Sequence, residues 1–220
     1  TQTVQIEDAS GWYLRTDPNA HEVLIDGTLW CTKPTFLLRL SKEPHRDSDV
    51  ARKGVAQIGI GMTAFDDQLS GKARIDWVRG SVRSRPLRLA ISGSIPQLDI
   101  RGPHVETWAR RGDLILIKFR ADAPSRTLIT LSWQHTLTKG DLEQLAMPQL
   151  RVLDVAEQKT SVQFASAGEV DLVPSLRGAS AISADALPKY GRDLIEAAPI
   201  SAFHHNGVLG GDIYLLRYAP

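Results

Sequence analysis

The stretch RTLITLSWQ, residues 126–134, decides the fold class, because apolar and polar side chains alternate along it. Ile129, Leu131 and Trp133 fall on one side of this stretch, and the residues between them are polar. A period of two is typical of a β-strand that has one buried face and one face in contact with water. Because Trp133 shares the apolar side, we predict that its indole ring lies in the core.

Two glycine-containing turns between apolar runs predict β-hairpins. Asp26-Gly27 separates residues 23–25 from residues 28–31, and Asp-Gly is a strong signal for a two-residue hairpin turn. Arg111-Gly112 joins the predicted strands 105–110 and 113–119, since glycine tolerates the positive φ of a tight turn. With Asp113 this turn also spells the Arg-Gly-Asp tripeptide that some adhesion receptors bind, but turn chemistry alone favours glycine and aspartate here.

Further short apolar runs, separated by Gly, Pro, Asp and Ser, predict additional strands. They cover residues 35–40, 55–61, 73–78, 87–91, 149–153, 161–165 and 213–218. Many short strands with turn residues between them indicate an all-β protein built from antiparallel β-sandwiches, with a barrel as the alternative. Little helix is expected: the best candidate, residues 185–198, contains Pro188 and Gly191, which predict a short helix or none.

Two polar stretches, residues 42–49 and 138–147, predict loops. The second stretch is a candidate linker. It would divide the chain into a β-sandwich domain at residues 1–143 and a second β unit at residues 144–220. The alternative is that residues 144–220 extend the sheets of the first unit.

Composition and charge exclude several classes of partner. The chain has 220 residues, and 26 basic residues balance 25 acidic ones, which predicts neither nucleic-acid binding nor attraction to an anionic membrane. Apolar runs such as residues 114–117 are far shorter than the ~20 residues that a membrane-spanning helix needs, so we predict no membrane insertion. The single cysteine, Cys31, is predicted to be a small buried hydrophobe. A start at Thr-Gln-Thr is expected of a processed protein or an excised fragment.

Motif analysis gives no catalytic residue, metal site or cofactor. GIGMTA, residues 59–64, has the form of a dinucleotide-binding fingerprint, but no amphipathic helix follows it. Its glycines are therefore predicted to lie in a strand or bulge. Asp66-Asp67 are predicted turn residues, and His204-His205 lack metal-site spacing. Neither a serine nucleophile elbow nor a P-loop occurs in the sequence.

Aromatic residues in strands are the best candidates for a ligand site. Trp12 and Tyr13 are adjacent and would face opposite ways in a strand, so one of them is a candidate for exposure. Trp108 has polar neighbours and is the strand tryptophan with the best case for exposure, although burial in the core is the favoured interpretation. Such rings offer flat apolar faces to sugars and other ligands. His104, Glu106 and Arg110 lie close to Trp108 in the sequence and complete the predicted ligand-binding set.

An arginine-rich region predicts an alternative site, a face that binds anions. Acidic residues are interspersed in the same region, which favours an ordinary solvated surface. The arginines are Arg79, Arg83, Arg85, Arg88, Arg101, Arg110, Arg111 and Arg120.

From residue 73 onward, the order of strands and a few proline and tryptophan positions carry a family resemblance. The matching stretches are 72–77, 87–96, 105–108, 113–117, 147–148, 152–155, 187–188 and 202–203. In these stretches the chain resembles β-rich segments of large bacterial envelope proteins with no assigned activity. The resemblance implies a periplasmic or extracellular all-β module, although a single cysteine also fits a cytoplasmic protein.

These observations predict a non-catalytic β-sandwich module for binding or structure, as part of a larger envelope protein. Its partner would be another protein or a glycan. The alternative is a carbohydrate-active enzyme or a carbohydrate-binding module, since β folds bring aromatic residues and carboxylates together without leaving a local motif.

Overall fold

A computed structural model of the chain describes residues 53–217, except for 81–85, 94, 139, 141 and 154, and the backbone of five strands before residue 49. Nineteen strands lie within these described residues, which confirms the all-β fold class. The chain divides into two compact units, Thr1–Ser48 and Asp49–Pro220.

The first unit contains a three-stranded sheet and a two-stranded sheet. The larger sheet has the order β1-β4-β3, and Ile25 of β3 lies opposite Thr28 of β4, which confirms the hairpin predicted from Asp26-Gly27. The predicted loop 42–49, most of the predicted strand 35–40 and the side chain of Cys31 lie outside the described residues. The strands are β1 (Gln2–Gln5), β2 (Tyr13–Arg15), β3 (Glu22–Ile25), β4 (Thr28–Cys31) and β5 (Arg39–Ser41).

The second unit is built around a seven-stranded sheet. Its strands are β6 (Gly54–Ala64), β7 (Gln68–Arg79), β9 (Gln97–Arg101), β12 (Arg126–Thr136), β15 (Glu157–Ser166), β17 (Ser180–Ile182) and β18 (Pro199–Asn206). The strand order is β17-β18-β15-β6-β7-β12-β9. Neighbouring strands are antiparallel except β15 and β6, which run parallel.

Two smaller antiparallel sheets complete the second unit. Their strands are β8 (Leu87–Ser92), β10 (Val105–Arg111), β11 (Leu114–Phe119), β13 (Leu142–Ala146), β14 (Gln149–Val152), β16 (Val170–Arg177) and β19 (Gly210–Arg217). Their orders are β10-β11-β8-β14 and β13-β19-β16. All three sheets share one hydrophobic core, to which β6 contributes Ile58, β8 contributes Leu89 and β19 contributes Ile213. A face-to-face sandwich arrangement of the sheets stays a prediction.

The alternation in β12 has the predicted structural result. Ile129 and Leu131 are fully buried and Trp133 is 2% exposed, whereas the residues between them are partly or fully exposed. Burying a large apolar side chain of this kind contributes roughly 1.5–3 kcal/mol. The hairpin predicted at Arg111-Gly112 is also confirmed, since β10 and β11 pair directly across it and Gly112 has a φ of 58°.

The prediction that residues 138–147 form a loop is wrong, because residues 142–146 form strand β13 and pair with β19. Only alternate side chains of β13 are partly buried, so its apolar signal is weak in the sequence. The predicted domain boundary at 143/144 falls within the second unit. Strands from both sides of it meet in the seven-stranded sheet, where β15 lies beside β6.

Residues 184–196, which we call the crossing segment, lie against β6, β7 and β15. Two single-turn 3-10 helices occur here, Ala184–Ala186 and Lys189–Gly191, which confirms the prediction of a short helix or none. A Cβ atom added to Gly59 of β6 would lie 2.2 Å from the carbonyl oxygen of Tyr190. The glycines of residues 59–64 are therefore strand residues that let another backbone pass closely, as predicted against the dinucleotide fingerprint.

Within the described residues, no helix is long and apolar enough to cross a membrane.

Candidate functional site

A pocket of about 560 Å³, which we call the Trp108 pocket, opens on the hairpin formed by β10 and β11. Two cross-strand pairs, Thr107 with Lys118 and Ala109 with Leu116, belong to its lining. Residues that pair directly across two strands project from the same face of the sheet, so these four side chains share one face. Thr107, Ala109 and Leu116 form the floor of the pocket, and the longer Lys118 side chain lies beside it. The remaining lining residues are Arg79, Pro86, Trp108, Phe119, Arg120 and Ala121. A pocket of this volume is in the usual size range for ligand sites.

Trp108 is half-buried at the border between this pocket and the core. Its cross-strand partner is Ile117, which is fully buried, so the indole ring projects from the core side of the hairpin. The ring packs against the hydrophobic core and also lines the pocket. β10 is the edge strand of its sheet, so among the described strands only β11 lies beside Trp108 within that sheet.

The pocket is basic. Arg79, Lys118 and Arg120 line it, and none of its described lining residues is acidic. Lys118 also forms an ion pair of 3.1 Å with Glu106 on the exposed surface, where such a pair contributes little to stability. An apolar floor with basic side chains around it favours a ligand that has both an apolar part and a negative charge.

Two aromatic rings position the guanidinium group of Arg79. It lies 5.2 Å from the ring centroid of Trp77 and 5.6 Å from that of Phe119, within the range of cation–π attraction. Trp77 and Phe119 also contact each other, with centroids 5.5 Å apart. The two rings therefore hold the guanidinium in the lining of the pocket.

The predicted ligand residues near Trp108 are only partly brought together. Glu106 does not line the pocket itself but accepts a hydrogen bond from the lining residue Lys118. The carbonyl oxygen of His104 accepts a hydrogen bond of 3.0 Å from the backbone N–H of Arg120, which also lines the pocket. Arg110 instead donates to the carbonyl oxygens of Gly112 and Ile95, each at 3.0 Å, and so fastens the tip of the hairpin. Trp12 lies outside the described residues.

The described arginines of the arginine-rich region do not lie on one face. Arg79 and Arg120 meet at the pocket, and Arg88 lies opposite Leu116 on the neighbouring strand. Arg101 lies on β9 of the seven-stranded sheet, where it pairs with Asp99 at 2.6 Å. Arg83 and Arg85 lie outside the described residues.

A second depression, the polar groove, lies on β7, β12 and β9 and has a volume of about 450 Å³. Strand pairing arranges its side chains in two rows across the three strands. The rows are Ser70, Gln134 and Gln97, followed by Lys72, Ser132 and Asp99. Glu196 of the crossing segment completes the rim through a 2.6 Å ion pair with Lys72. Hydroxyl, amide and carboxylate groups in such an array match a ligand rich in hydroxyl groups.

A cluster of Ser161, His204 and Tyr190 is better suited to structure than to catalysis. The Ser161 hydroxyl lies 3.1 Å from Nδ1 of His204 and 3.5 Å from the Tyr190 hydroxyl, but Ser161 is fully buried beneath the crossing segment. A nucleophile in that position could not meet a substrate. Partial burial raises the pKa of Tyr190, against the opposing effect of its hydrogen bond with Ser161.

Other polar residues singled out in the sequence have structural roles. Asp66 accepts a hydrogen bond of 2.7 Å from the backbone of Glu169, which connects two turns. His205 lies 2.9 Å from the carbonyl oxygen of Gly178 through Nδ1. In the part of the chain that the structure describes, no three metal-ligating side chains come together.

Neither the floor of the pocket nor the polar groove is predicted by a motif in the sequence. Ala109 and Leu116 have no chemical signature, and they become neighbours only through the register of the hairpin. Trp77 and Phe119 are distant in sequence, so their contact with Arg79 also depends on the tertiary fold. The alternation of polar residues in β7, β9 and β12 was the available signal for the polar groove.

No protein family model matches this chain, and no curated protein matches it. Solved structures with some similarity include native yeast leukotriene A4 hydrolase, at 9% identity and a TM-score of 0.38, covering 74% of this chain and 28% of that one. Another is a mutant M1 zinc metallopeptidase from Deinococcus radiodurans, at 12% identity and a TM-score of 0.36, covering 74% of this chain and 43% of that one. This chain spans less than half of either structure, and similarity at this level carries no conclusion about function.

Proposed function

We propose that this chain is a non-catalytic binding module whose ligand occupies the Trp108 pocket. The observation that carries the proposal is the floor of Thr107, Ala109 and Leu116, which is open to solvent and flanked by basic side chains. The described lining residues include no carboxylate, histidine or cysteine, and the groups there that could act as a base or nucleophile are Lys118, which is ion-paired with Glu106, and the hydroxyl of Thr107. The chemistry of the pocket therefore supports binding better than catalysis.

The proposed partner is another protein, and the proposed setting is a larger envelope protein in the periplasm or outside the cell. The choice of partner rests on the position of the pocket beside β10, which ends its sheet among the described strands and so offers an edge with which a protein segment can pair. The choice of setting rests on the sequence resemblance alone.

Tryptophan fluorescence provides the test. The chain is titrated separately with a panel of short peptides and a panel of soluble oligosaccharides, and Trp108→Phe identifies the part of the signal that Trp108 contributes. We expect a saturable change in emission with at least one peptide. Ala109→Glu, which adds bulk and negative charge to the exposed floor, should abolish the change. The control is Arg177→Glu, which makes a charge change at an exposed position of β16 that does not line the pocket. An emission spectrum that no ligand alters would contradict the proposal.

A carbohydrate-binding module is the second candidate, and the polar groove is the observation in its favour. Its two rows of hydroxyl, amide and carboxylate groups present hydrogen-bonding atoms at the spacing of neighbouring strands, about 4.8 Å. Binding of an oligosaccharide that is weakened by Gln134→Ala and unchanged by Ala109→Glu would favour this second function over the first.

A further inference from the structure

We infer that the ligand of the Trp108 pocket is an extended acidic segment of a partner protein, which pairs as an additional strand with the open edge of β10. This inference rests on the proposed function, because it uses the same pocket. It adds the conformation of the ligand, its charge and the backbone that it contacts.

The outer edge of β10 has no partner strand among the described strands. β10 ends the order β10-β11-β8-β14, so only β11 pairs with it among the described strands. An edge strand presents a row of backbone N–H and C=O groups that another strand can use. The register of β10 is irregular only between Val105 and Thr107, so residues 107–111 form a regular template for a peptide strand.

The two faces of β10 both offer apolar surface to an added strand. Side chains of an added strand alternate between the faces of the sheet. On one face they would lie beside Thr107 and Ala109, above the floor of the pocket. On the other face they would lie beside Trp108, whose ring is only half-buried at this edge. An apolar residue on either face would remove apolar surface from water, at roughly 25 cal/mol per Å².

The charge of this surface favours an acidic ligand. Arg110 and Arg111 lie on the edge strand, and Arg79, Lys118 and Arg120 line the pocket. Glu106 is the acidic residue of β10, and its ion pair with Lys118 balances the charges of both groups, so the four arginines supply the net positive charge of this surface. A segment that carries glutamate or aspartate between its apolar residues would match this surface. Since the basic groups are mostly exposed, they would contribute mainly to orientation and association rate, and salt would weaken their effect.

The test uses the full chain and a fluorescently labelled octapeptide that alternates valine and glutamate, followed by fluorescence anisotropy. We expect saturable binding that weakens as the salt concentration rises. An octapeptide that alternates valine and lysine should not bind. Arg120→Glu should weaken binding by about 5-fold or more, as expected when a favourable charge contact becomes repulsive. Ala109→Glu should weaken binding further, and the matched control Arg177→Glu, on another edge strand, should leave it unchanged.

Backbone pairing is tested separately from charge. The acidic octapeptide methylated on alternate backbone nitrogens keeps its side chains but loses strand-forming donors, and we expect it not to bind. Binding of the unmethylated peptide should also slow amide hydrogen exchange at residues 107–111. Equal binding of both peptides, or no change in exchange at β10, would overturn strand addition.

The outcomes also separate this inference from the proposed function. If the acidic octapeptide fails to bind while another ligand still changes the Trp108 emission in an Ala109-dependent manner, the inference is wrong and the proposed function stands. If no ligand engages the pocket, both are wrong.

Discussion

At the scale of single residues, Gly59 shows how one absent methyl group allows two parts of the second unit to touch. A Cβ atom at this position would meet the Tyr190 carbonyl oxygen at 2.2 Å and the Gly191 Cα at 2.6 Å. We expect Gly59→Ala to lower the free energy of unfolding by about 1–3 kcal/mol, as overpacking does, measured by urea denaturation. Gly140→Ala is the control, because the nearest atom lies at 3.7 Å. Equal stability of the two variants would contradict the close approach.

Tyr190, also in the crossing segment, gives a prediction at alkaline pH. Partial burial raises the pKa of its phenol above the ordinary value of 10.0, and the hydrogen bond with Ser161 offsets only part of this effect. A raised pKa in the folded state contributes stability that is complete below pH ~10 and is lost as the pH rises through the folded pKa. Tyrosinate absorbance should therefore show a group that ionises above pH ~10 and is missing in Tyr190→Phe. If Tyr190→Phe instead removes a group that titrates at the ordinary tyrosine pKa of 10.0, the phenol is not buried.

At the scale of elements, Glu143 connects β13 to the end of β12. Its carboxylate accepts hydrogen bonds from the backbone N–H and the hydroxyl of Thr138, at 2.7 and 2.9 Å, and lies 3.2 Å from Nε2 of His135. Partial burial alone would raise the pKa of Glu143, but these contacts with Thr138 and His135 together lower it below its ordinary value of 4.5. The carboxylate thus stabilises the folded state when it is ionised.

The sign of this shift predicts acid sensitivity. A lowered pKa in the folded state contributes stability above the unfolded pKa, and that contribution is lost as the pH falls below ~4.5 and through the folded pKa. We expect Glu143→Gln to be less stable than the unchanged chain at neutral pH, with the difference shrinking in acid, in urea denaturation over a pH series. Glu169→Gln, at an exposed turn, is the control. A difference that stays constant with pH would contradict the prediction.

The same elements show what the sequence reveals of this fold. In β12, Ile129 and Trp133 alternate with polar residues, and in β10 and β11 a glycine occupies the turn, so local chemistry predicts these strands correctly. β13 was not predicted because only its alternate side chains are partly buried, so the sequence lacks a strong apolar pattern there. For the site, Trp108 and Arg79 were identified as candidates by residue type. Ala109 and Leu116 could not be, because their role depends on register across the hairpin.

At the scale of the whole molecule, the two possible chain divisions predict different behaviour of truncated chains. Residues 49–220 contain the shared core of the second unit, so we expect this piece to unfold in one cooperative transition. Residues 144–220 alone keep β15 but lose β6 and β7, which leaves Val162 and Phe164 without the core that buries them completely. We expect poor amide proton dispersion for the shorter piece. A well-dispersed spectrum from residues 144–220 would establish an independent domain instead.

The parallel pairing of β15 with β6 has a consequence for the order of events in folding. β6 and β7 follow each other directly and pair as a hairpin, whereas β15 joins β6 across about a hundred residues of chain. Contacts between distant segments form late and slow the overall rate, since the entropy of loop closure opposes them. On the ribosome, synthesis proceeds at ~5–20 residues per second, so one edge of β6 stays unpaired for about 5–20 seconds before β15 has been made. During that interval the edge of β6 presents unpaired backbone N–H and C=O groups, which are a template for pairing with other chains.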